Sequence, residues 1–208
     1  MTKAPLPHSV FIGDNYVIKY FSSAKEFQRE LKVYLMHSPL VPDILASQKP
    51  EWIKMERIFG VPYLNAPDGF DAECLGLSLA GFHNASMKGD KCLCHIDNQP
   101  ANILLAGASF FFIDFSDSRM DYPERDVTHL LLFWAAEMEH ERFCADVSAF
   151  LAIYAFFGTI SSQRWQSCLQ ESIEAFDARR ALFNKPGAKV SPGELGKNRK
   201  FLADYHKF

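Results

Sequence analysis

The spacing of apolar residues changes part-way along the 208-residue chain, and this change limits the folds that are open to it. Before residue 60, short runs typical of strands flank one helical stretch, whereas after residue 126 apolar residues recur at helical spacing. The segment 60–69 is rich in Gly, Pro, Asn and Asp, which interrupt regular structure. The pattern predicts an α+β fold in two lobes.

Three segments follow from this pattern. We expect a reduced, strand-rich N-terminal lobe over residues 1–59, a hinge or linker over 60–70, and a mainly helical C-terminal lobe over 71–208. Since the functional motif described below lies near residue 100, the C-terminal lobe is expected to carry it.

Individual elements can be placed within these segments. Apolar runs on both sides of the turn at 13–15 predict a first hairpin. Ser23 and Glu26 have the spacing of a capping box, which predicts the start of a helix. The other expected elements are strands at 52–58, 93–96, 102–105 and 110–113, and helices over 71–82, 127–140, 144–157, 163–183 and 201–208.

Composition excludes several classes of protein. Apolar residues make up 48% of the chain and charged residues 23%, which allows a sizeable core and argues against disorder. A net charge of −3 argues against a general nucleic-acid binder. The longest apolar stretch, 147–160, is too short to span a bilayer, and no signal-peptide pattern opens the chain. We therefore expect a cytoplasmic protein without a membrane segment.

The five cysteines are odd in number and scattered, which is typical of reduced thiols in the cytosol. Cys92, Cys94 and His95 are close in sequence, but their spacing fits no standard zinc site. We expect them to pack in a strand rather than to bind a metal.

One region concentrates the polar residues that could carry chemistry. The segment 95–102 reads His-Ile-Asp-Asn-Gln-Pro-Ala-Asn, and a short apolar run then leads to Asp114-Phe115. An ordinary polar loop would explain one Asp or one Asn. It does not explain the whole set in this order and at this spacing.

An H-x-D-x-x-x-x-N loop followed by a hydrophobic strand and Asp-Phe resembles the catalytic loop and metal-binding segment of the protein-kinase-like superfamily. With a Pro two residues before the Asn, the loop is most similar to that of the aminoglycoside and choline phosphotransferases. The resemblance spans about 16–157 and depends mainly on 95–126. It implies a bilobal fold with a truncated N-lobe, ATP and Mg²⁺ as cofactors, and phosphoryl transfer to a hydroxyl of a small molecule.

The resemblance also implies roles for individual residues. Asp97 would be the base that accepts the proton of the attacking hydroxyl. Asn102 and Asp114 would be the metal ligands, because a hard cation prefers oxygen. His83 and Asp126 match residues that pack around and brace the catalytic loop in this family, so we do not expect them to be catalytic.

Four residues of the N-terminal segment are expected to bind the nucleotide. Lys19 resembles the third-strand lysine of the family. Glu30 shares a helical face with the apolar Phe27, so it points inward and needs a cationic partner, which we expect to be Lys19. Glu56 and Ile58 lie where the family's hinge strand ends, and their backbone groups would bind adenine.

The chain departs from the protein-kinase pattern in three places. No G-x-G-x-x-G phosphate loop precedes Lys19, and Ser116 stands where protein kinases have Gly. The short segment 114–126 leaves no room for an activation loop or a peptide platform, which favours a small-molecule acceptor. Two alternatives remain: a minimal atypical protein kinase or ATPase that acts with a protein partner, and a non-catalytic pseudokinase scaffold. The basic residues between 185 and 200 are expected in a solvated loop.

Overall fold

The structure is a computed structural model that describes residues 9–36, 38–182 and 188–205. The chain divides into two compact units, one formed by 1–70 with 100–119 and the other by 71–99 with 120–208. The lobe boundaries expected from the sequence stay a prediction. The α+β class is confirmed, because antiparallel sheets and long helices are both present.

The first unit contains a four-stranded antiparallel sheet in the order β1-β2-β4-β3. Its strands are β1 (Val10–Ile12), β2 (Tyr16–Tyr20), β3 (Ile44–Gln48) and β4 (Trp52–Glu56). Ile53 and Met55 of β4 are buried and alternate with half-buried neighbours, as the period of two in a strand requires. The register places Lys19 of β2 opposite Ile53, at the centre of the sheet.

Helix α1 (Ala24–Tyr34) follows β2 and buries one face. Phe27, Glu30 and Tyr34 recur at helical spacing on that face, and each is at most 1% exposed. Ser23 is the N-cap residue, but its side chain makes no capping hydrogen bond, so the predicted capping box is wrong in that respect. The helix begins there through the backbone bond from Phe27 N–H to the Ser23 carbonyl, 3.1 Å.

A second, three-stranded sheet completes the first unit in the order β5-β7-β8. Its strands are β5 (Val61–Pro62), β7 (Ile103–Ala106) and β8 (Ser109–Phe112). Two further short strands outside this sheet are β6 (Cys92–Cys94) and β9 (Arg119–Asp121). Gly107 joins β7 to β8 with φ +62°, a left-handed conformation that favours glycine in a tight hairpin.

The second unit is mainly helical, and β6 pairs with β9. Its helices are α2 (Ala72–Asn84), α3 (Pro123–Glu137), α4 (His140–Phe157), α5 (Ser162–Leu182) and α6 (Pro192–Ala203). Within the described ranges, no helix combines the length and the apolar content needed to cross a bilayer.

Four elements differ from the sequence-based expectation, two of which are the short strands β5 and β9, which were not predicted. Strand β3 was not predicted, because four of its five residues are exposed and leave no alternating apolar pattern. The last helix is α6, which begins well before the predicted 201–208, and 206–208 lie outside the described residues. Ser191 caps this helix by accepting from Glu194 N–H at 3.2 Å, so the Ser-Pro-x-Glu start signal was present in the sequence.

Helix α6 is docked rather than solvated. Asn198 is fully buried and donates to the carbonyls of Ala135 and Met138, each at 3.0 Å. Trp165 Nε1 donates to the Leu202 carbonyl at 2.8 Å. Residues 197, 199 and 200 therefore lie on a packed helix, so the loop prediction is wrong for them, although the side chains of 197 and 200 are exposed. Lys189 is exposed and lies before this helix, as predicted, and Lys185 lies outside the described residues.

Helices α2 and α4 approach each other closely at Gly76, and this contact can be tested by substitution. A Cβ on Gly76 would lie 2.7 Å from the Phe150 carbonyl oxygen, so Gly76→Ala should lower the free energy of unfolding by about 1–3 kcal/mol. Gly196→Ala is the matched control, because its Cβ would meet nothing within 4 Å and alanine should stabilise α6 by up to about 1 kcal/mol. Urea unfolding measures both, and stabilisation of both variants would contradict the packing.

Candidate active site

Lys19 is the centre of a charged cluster in the first unit. Its Nζ lies 2.7 Å from Glu30 Oε2, 2.6 Å from Asp114 Oδ1 and 2.9 Å from Ser116 Oγ. The Glu30 side chain is fully buried and that of Lys19 is 13% exposed. The structure therefore contains the Lys19–Glu30 ion pair that the inward-facing carboxylate predicts, and Asp114 extends the pair into a cluster.

Several hydrogen bonds satisfy the buried Glu30 carboxylate. Tyr34 Oη donates to Oε1 at 3.0 Å, and Ser116 Oγ lies 3.0 Å from Oε2. Burial raises the pKa of Glu30, and the charge of Lys19 offsets part of that rise. Burial also acts to lower the pKa of Lys19, but Glu30 and Asp114 outweigh it and the pKa is raised. Lys19 therefore stays an ammonium group across the physiological range.

Asp114 follows β8 in an unusual backbone conformation. Its φ is +64°, in the left-handed region that only a few per cent of non-glycine residues adopt, with Asp among the more tolerant types. The preceding Ile113 N–H donates to the Asn102 carbonyl at 3.0 Å, which ties the end of β8 to the start of β7. The Asp114 side chain is 46% exposed, so one part contacts Lys19 and the rest stays accessible.

A cavity of about 350 Å³ lies in the first unit next to this cluster. Its lining includes six of the predicted site residues: Lys19, Glu30, Asn102, Asp114, Glu56 and Ile58. Apolar side chains line the remainder, among them Val10, Ile12, Val17, Met55, Leu104 and Ile113. A mostly apolar cavity of this size with convergent polar groups is typical of a small-molecule site.

The loop that carries Asp97 belongs to the second unit, and Asp126 of α3 anchors it. The carboxylate of Asp126 accepts from His95 N–H at 2.5 Å and from Ile96 N–H at 2.7 Å. Ile96 has φ +70°, which is strained for a β-branched residue. Such strain costs about 1–3 kcal/mol and persists only where the surroundings fix the conformation. Here two charge-assisted hydrogen bonds fix it.

Asp126 itself is fully buried and has further partners. His83 Nε2 lies 3.1 Å from its carboxylate, and Asn98 Nδ2 donates to its carbonyl at 2.8 Å. His129 Nδ1 in turn lies 2.8 Å from Asn98 Oδ1. Burial alone would raise the pKa of Asp126, but the hydrogen bond and charge of His83 help to hold it below its usual value. The loop thus depends on a buried carboxylate that stays ionised.

Asp97 is held in place from α5. Its carboxylate forms a two-point ion pair with Arg179, at 3.0 Å from Nη1 to Oδ1 and 3.2 Å from Nη2 to Oδ2. Gln99 Nε2 donates to Oδ2 at 3.1 Å. The Asp97 side chain is 13% exposed. Arg179 is therefore a site residue that the sequence analysis missed.

The missed residues differ in how well the sequence signals them. Tyr34 lies four positions after Glu30, a helical spacing that predicts contact and could have been used. Ser116 was noted only as a departure from the family pattern, although its hydroxyl lies in the Lys19 cluster. Arg179 is 82 residues from Asp97 and lies in no motif, so the sequence gives no signal for it.

Three buried residues, His83, Cys92 and Cys94, each have one potential metal-ligand atom, and these atoms lie within 4.8 Å of one another. Both ring nitrogens of His83 already have partners, Asp126 and Tyr154 Oη at 2.6 Å. The Sγ atoms of Cys92 and Cys94 lie 3.6 Å apart in the core strand β6. The hydrogen bond with Cys92 raises the pKa of the Cys94 thiol, and burial raises it further. These contacts describe core packing.

The pKa of Asp126 leads to a prediction about acid stability. Because the folded-state pKa is lowered from 3.8, its contribution to stability is present above that pH and is lost as the pH falls through the lowered value. Asp126→Asn should cost about 3 kcal/mol at pH 7 and flatten the loss of stability below pH 4. Urea unfolding between pH 2.5 and 7 measures both.

The control for this experiment is Asp71→Asn. Asp71 also has a lowered pKa, through the hydrogen bond from Cys74 N–H, but it is exposed and caps α2, where Asn serves equally well. Equal losses of stability in the two variants would contradict an anchoring role for Asp126.

Many solved structures resemble this fold, among them three small-molecule kinases or kinase-family proteins. A choline/ethanolamine kinase family protein from Mesorhizobium loti has a TM-score of 0.60 at 11% identity, covering 96% of this chain and 90% of that one. An amicoumacin kinase solved with AMP-PNP and Ca²⁺ has a TM-score of 0.62 at 15% identity, covering 91% and 81%. A choline kinase from Streptococcus pneumoniae has a TM-score of 0.58 at 15% identity, covering 91% and 86%.

At these identities the likeness shows the fold alone, and the fold is protein-kinase-like, as the sequence predicts. A comparison with curated protein sequences finds no match. The model of the phosphotransferase enzyme family, known as APH, matches residues 42–159, which is more than half of the chain. The matched region includes the loop of Asp97 and the segment of Asp114. The chain therefore belongs to the phosphotransferase enzyme family.

Proposed function

We propose that this protein is an ATP- and Mg²⁺-dependent kinase that phosphorylates a hydroxyl group of a small molecule. One observation carries the proposal: the Lys19 ammonium joins Glu30 and Asp114 on the wall of a cavity of about 350 Å³. Family membership supports phosphoryl transfer, which is mostly a matter of positioning groups and neutralising charge.

The cavity has suitable groups for a nucleotide. Lys19 would contact phosphate oxygens, and Glu30 would hold the lysine in position. Apolar side chains such as Val17 and Met55 would pack against the adenine, and the backbone of 56–58 would bind its edge. The amicoumacin kinase of similar fold was solved with AMP-PNP and Ca²⁺, which supports nucleotide and divalent-metal use. Without a glycine-rich loop in the sequence, binding would depend on Lys19, the metal and the hinge.

Asn102 and Asp114 are the proposed metal ligands. Both line the cavity, and they offer an amide oxygen and a carboxylate oxygen, which are the donor types that Mg²⁺ prefers. Asp114 is accessible as well as ion-paired, since its side chain is 46% exposed. When bound, the ion would neutralise the negative charge of the phosphates.

Asp97 is the proposed base. The acceptor O–H bond would break with the proton passing to the Asp97 carboxylate, while the acceptor oxygen bonds to the γ-phosphorus. The bond from that phosphorus to the bridging oxygen would break, and its electron pair would leave with ADP. The backbone bonds from His95 and Ile96 to Asp126 would keep Asp97 at a fixed position during this step.

The small-molecule acceptor is favoured over the two alternatives. The segment after Asp114 reaches β9 and then α3 within nine residues, which leaves no length for a regulatory loop. Structures of similar fold include kinases of choline, aminopropanol and a macrolide. A protein partner and a cytoplasmic location stay predictions.

Asp97→Asn should reduce kcat by about 100- to 10,000-fold, because it removes a general base while keeping the shape of the side chain. ADP formation with a library of hydroxylated metabolites measures turnover, and calorimetry should show ATP affinity within about threefold of wild type, since the base does not hold the nucleotide. Asp90→Asn is the control, an exposed aspartate whose partner is Arg164. Wild-type turnover in Asp97→Asn would refute the assignment.

Asp114→Ala should weaken binding of ATP much more in the presence of Mg²⁺ than in excess chelator, because its proposed partner is the metal. Calorimetry under the two conditions gives the ratio of affinities. Asp68→Ala, an exposed aspartate of the first unit, should leave that ratio unchanged. An equal loss with and without Mg²⁺ in Asp114→Ala would mean that Asp114 is not a metal ligand.

A further inference from the structure

The ion pair between Asp97 and Arg179 has a consequence for the acceptor. Both carboxylate oxygens of Asp97 are engaged by the Arg179 fork, and Gln99 adds a third hydrogen bond. A base in this arrangement cannot accept a proton easily, because the guanidinium stabilises the carboxylate and occupies its lone pairs. Phosphoryl transfer would therefore require Arg179 to leave Asp97.

A second arginine lines the cavity beside this pair. The cavity beside it is small, about 20 Å³, and is lined by Asp97, His129, Phe133, Phe176, Arg179 and Arg180. Among these described lining residues, Asp97 is the single acid against two arginines. The Arg180 guanidinium lies 5.3 Å from the centre of the Phe176 ring, so an aromatic surface supports it.

The acidic residues of α5 make contacts of their own. Asp177 pairs with Arg199 at 2.5 Å, and Glu171 pairs with Arg125. Glu174 accepts a hydrogen bond from Gln170 at 2.8 Å. The last turn of α5 carries two arginines, and both line the cavity together with the proposed base.

A cationic acceptor would have no oxyanion to offer Arg179 in exchange for Asp97. An acceptor with a carboxylate or a phosphate group would offer an equivalent oxyanion, so the guanidinium could exchange one oxyanion for another with little loss of pairing energy. The small volume of the cavity agrees with this exchange, since the side chain of Arg179 has to move before an acceptor can enter.

We propose that the acceptor is an anionic alcohol, a hydroxylated carboxylate or phosphate ester, whose oxyanion is bound by Arg179 and Arg180. This inference rests on the proposed kinase function. As the acceptor binds, Arg179 transfers from Asp97 to the oxyanion and Asp97 is released to take the hydroxyl proton. Arg179 is thus a positioning and specificity residue that couples acceptor binding to activation of the base.

The test uses alcohols of similar size that differ in charge: glycerate and glycerol 3-phosphate as anions, glycerol as the neutral member, and ethanolamine and choline as cations. ADP formation with Mg²⁺-ATP gives kcat and KM, and mass spectrometry identifies the phosphorylated product. Wild type should prefer the anionic alcohols. Arg179→Gln should raise their KM by about 10- to 100-fold, the equivalent of a lost charged hydrogen bond, with a smaller change in kcat.

Two further variants separate this role from a structural one. Arg179→Lys keeps the charge but loses the two-point geometry, so its KM should be intermediate. Arg142→Gln is the matched control, because Arg142 is also a helical arginine of the second unit and pairs with Asp146 at 3.2 Å on an exposed face. Its kinetics should equal those of wild type.

The outcomes distinguish this inference from the function on which it rests. A preference for neutral or cationic alcohols, or an Arg179→Gln variant no different from Arg142→Gln, would overturn the anionic acceptor and leave the kinase intact. Absence of phosphorylation with every alcohol, anionic members included, would overturn both. A selective increase in KM for the anionic alcohols supports the inference.

Discussion

The first unit of this protein depends on the ion pairs that the Lys19 ammonium group makes. It joins Glu30, which is fully buried 11 positions away on α1, to Asp114, 95 positions away after β8. Taking one partner away would leave a buried charge uncompensated, which costs more than the pair contributes. The cavity wall is consequently fixed by charge pairing as well as by apolar packing.

The second unit uses a buried charge in a similar way. The Asp126 carboxylate receives two backbone N–H bonds and one from His83, and these hold Ile96 at a positive φ. Strain of this kind is characteristic of functional loops, because a relaxed backbone would not present the next side chain at a fixed position. That next residue is Asp97. Each unit therefore has one buried ionic centre that positions a residue proposed to act in phosphoryl transfer.

The sequence predicted those parts of the structure that local patterns determine. An inward-facing Glu30 needed a cation, and Lys19 is indeed its partner. Strand β3 was missed because its exposed residues give no alternation, and α6 was misplaced although Ser191 and Pro192 carry a start signal. Arg179 could not be predicted, since its contact with Asp97 arises from tertiary packing alone. The roles of Asp97, Asn102 and Asp114 remain predictions from the family resemblance.

A double-mutant cycle on Lys19 and Glu30 tests the central claim most directly. Urea unfolding of wild type, Lys19→Met, Glu30→Gln and the double variant gives four free energies of unfolding. The double variant should lose less than the sum of the single losses, by about 1–3 kcal/mol. The reason is that Lys19→Met alone leaves the buried Glu30 carboxylate without its cation, and this cost is absent when Glu30 is replaced as well. Additive losses to within about 0.5 kcal/mol would contradict it, since they would mean that the two charges do not depend on each other.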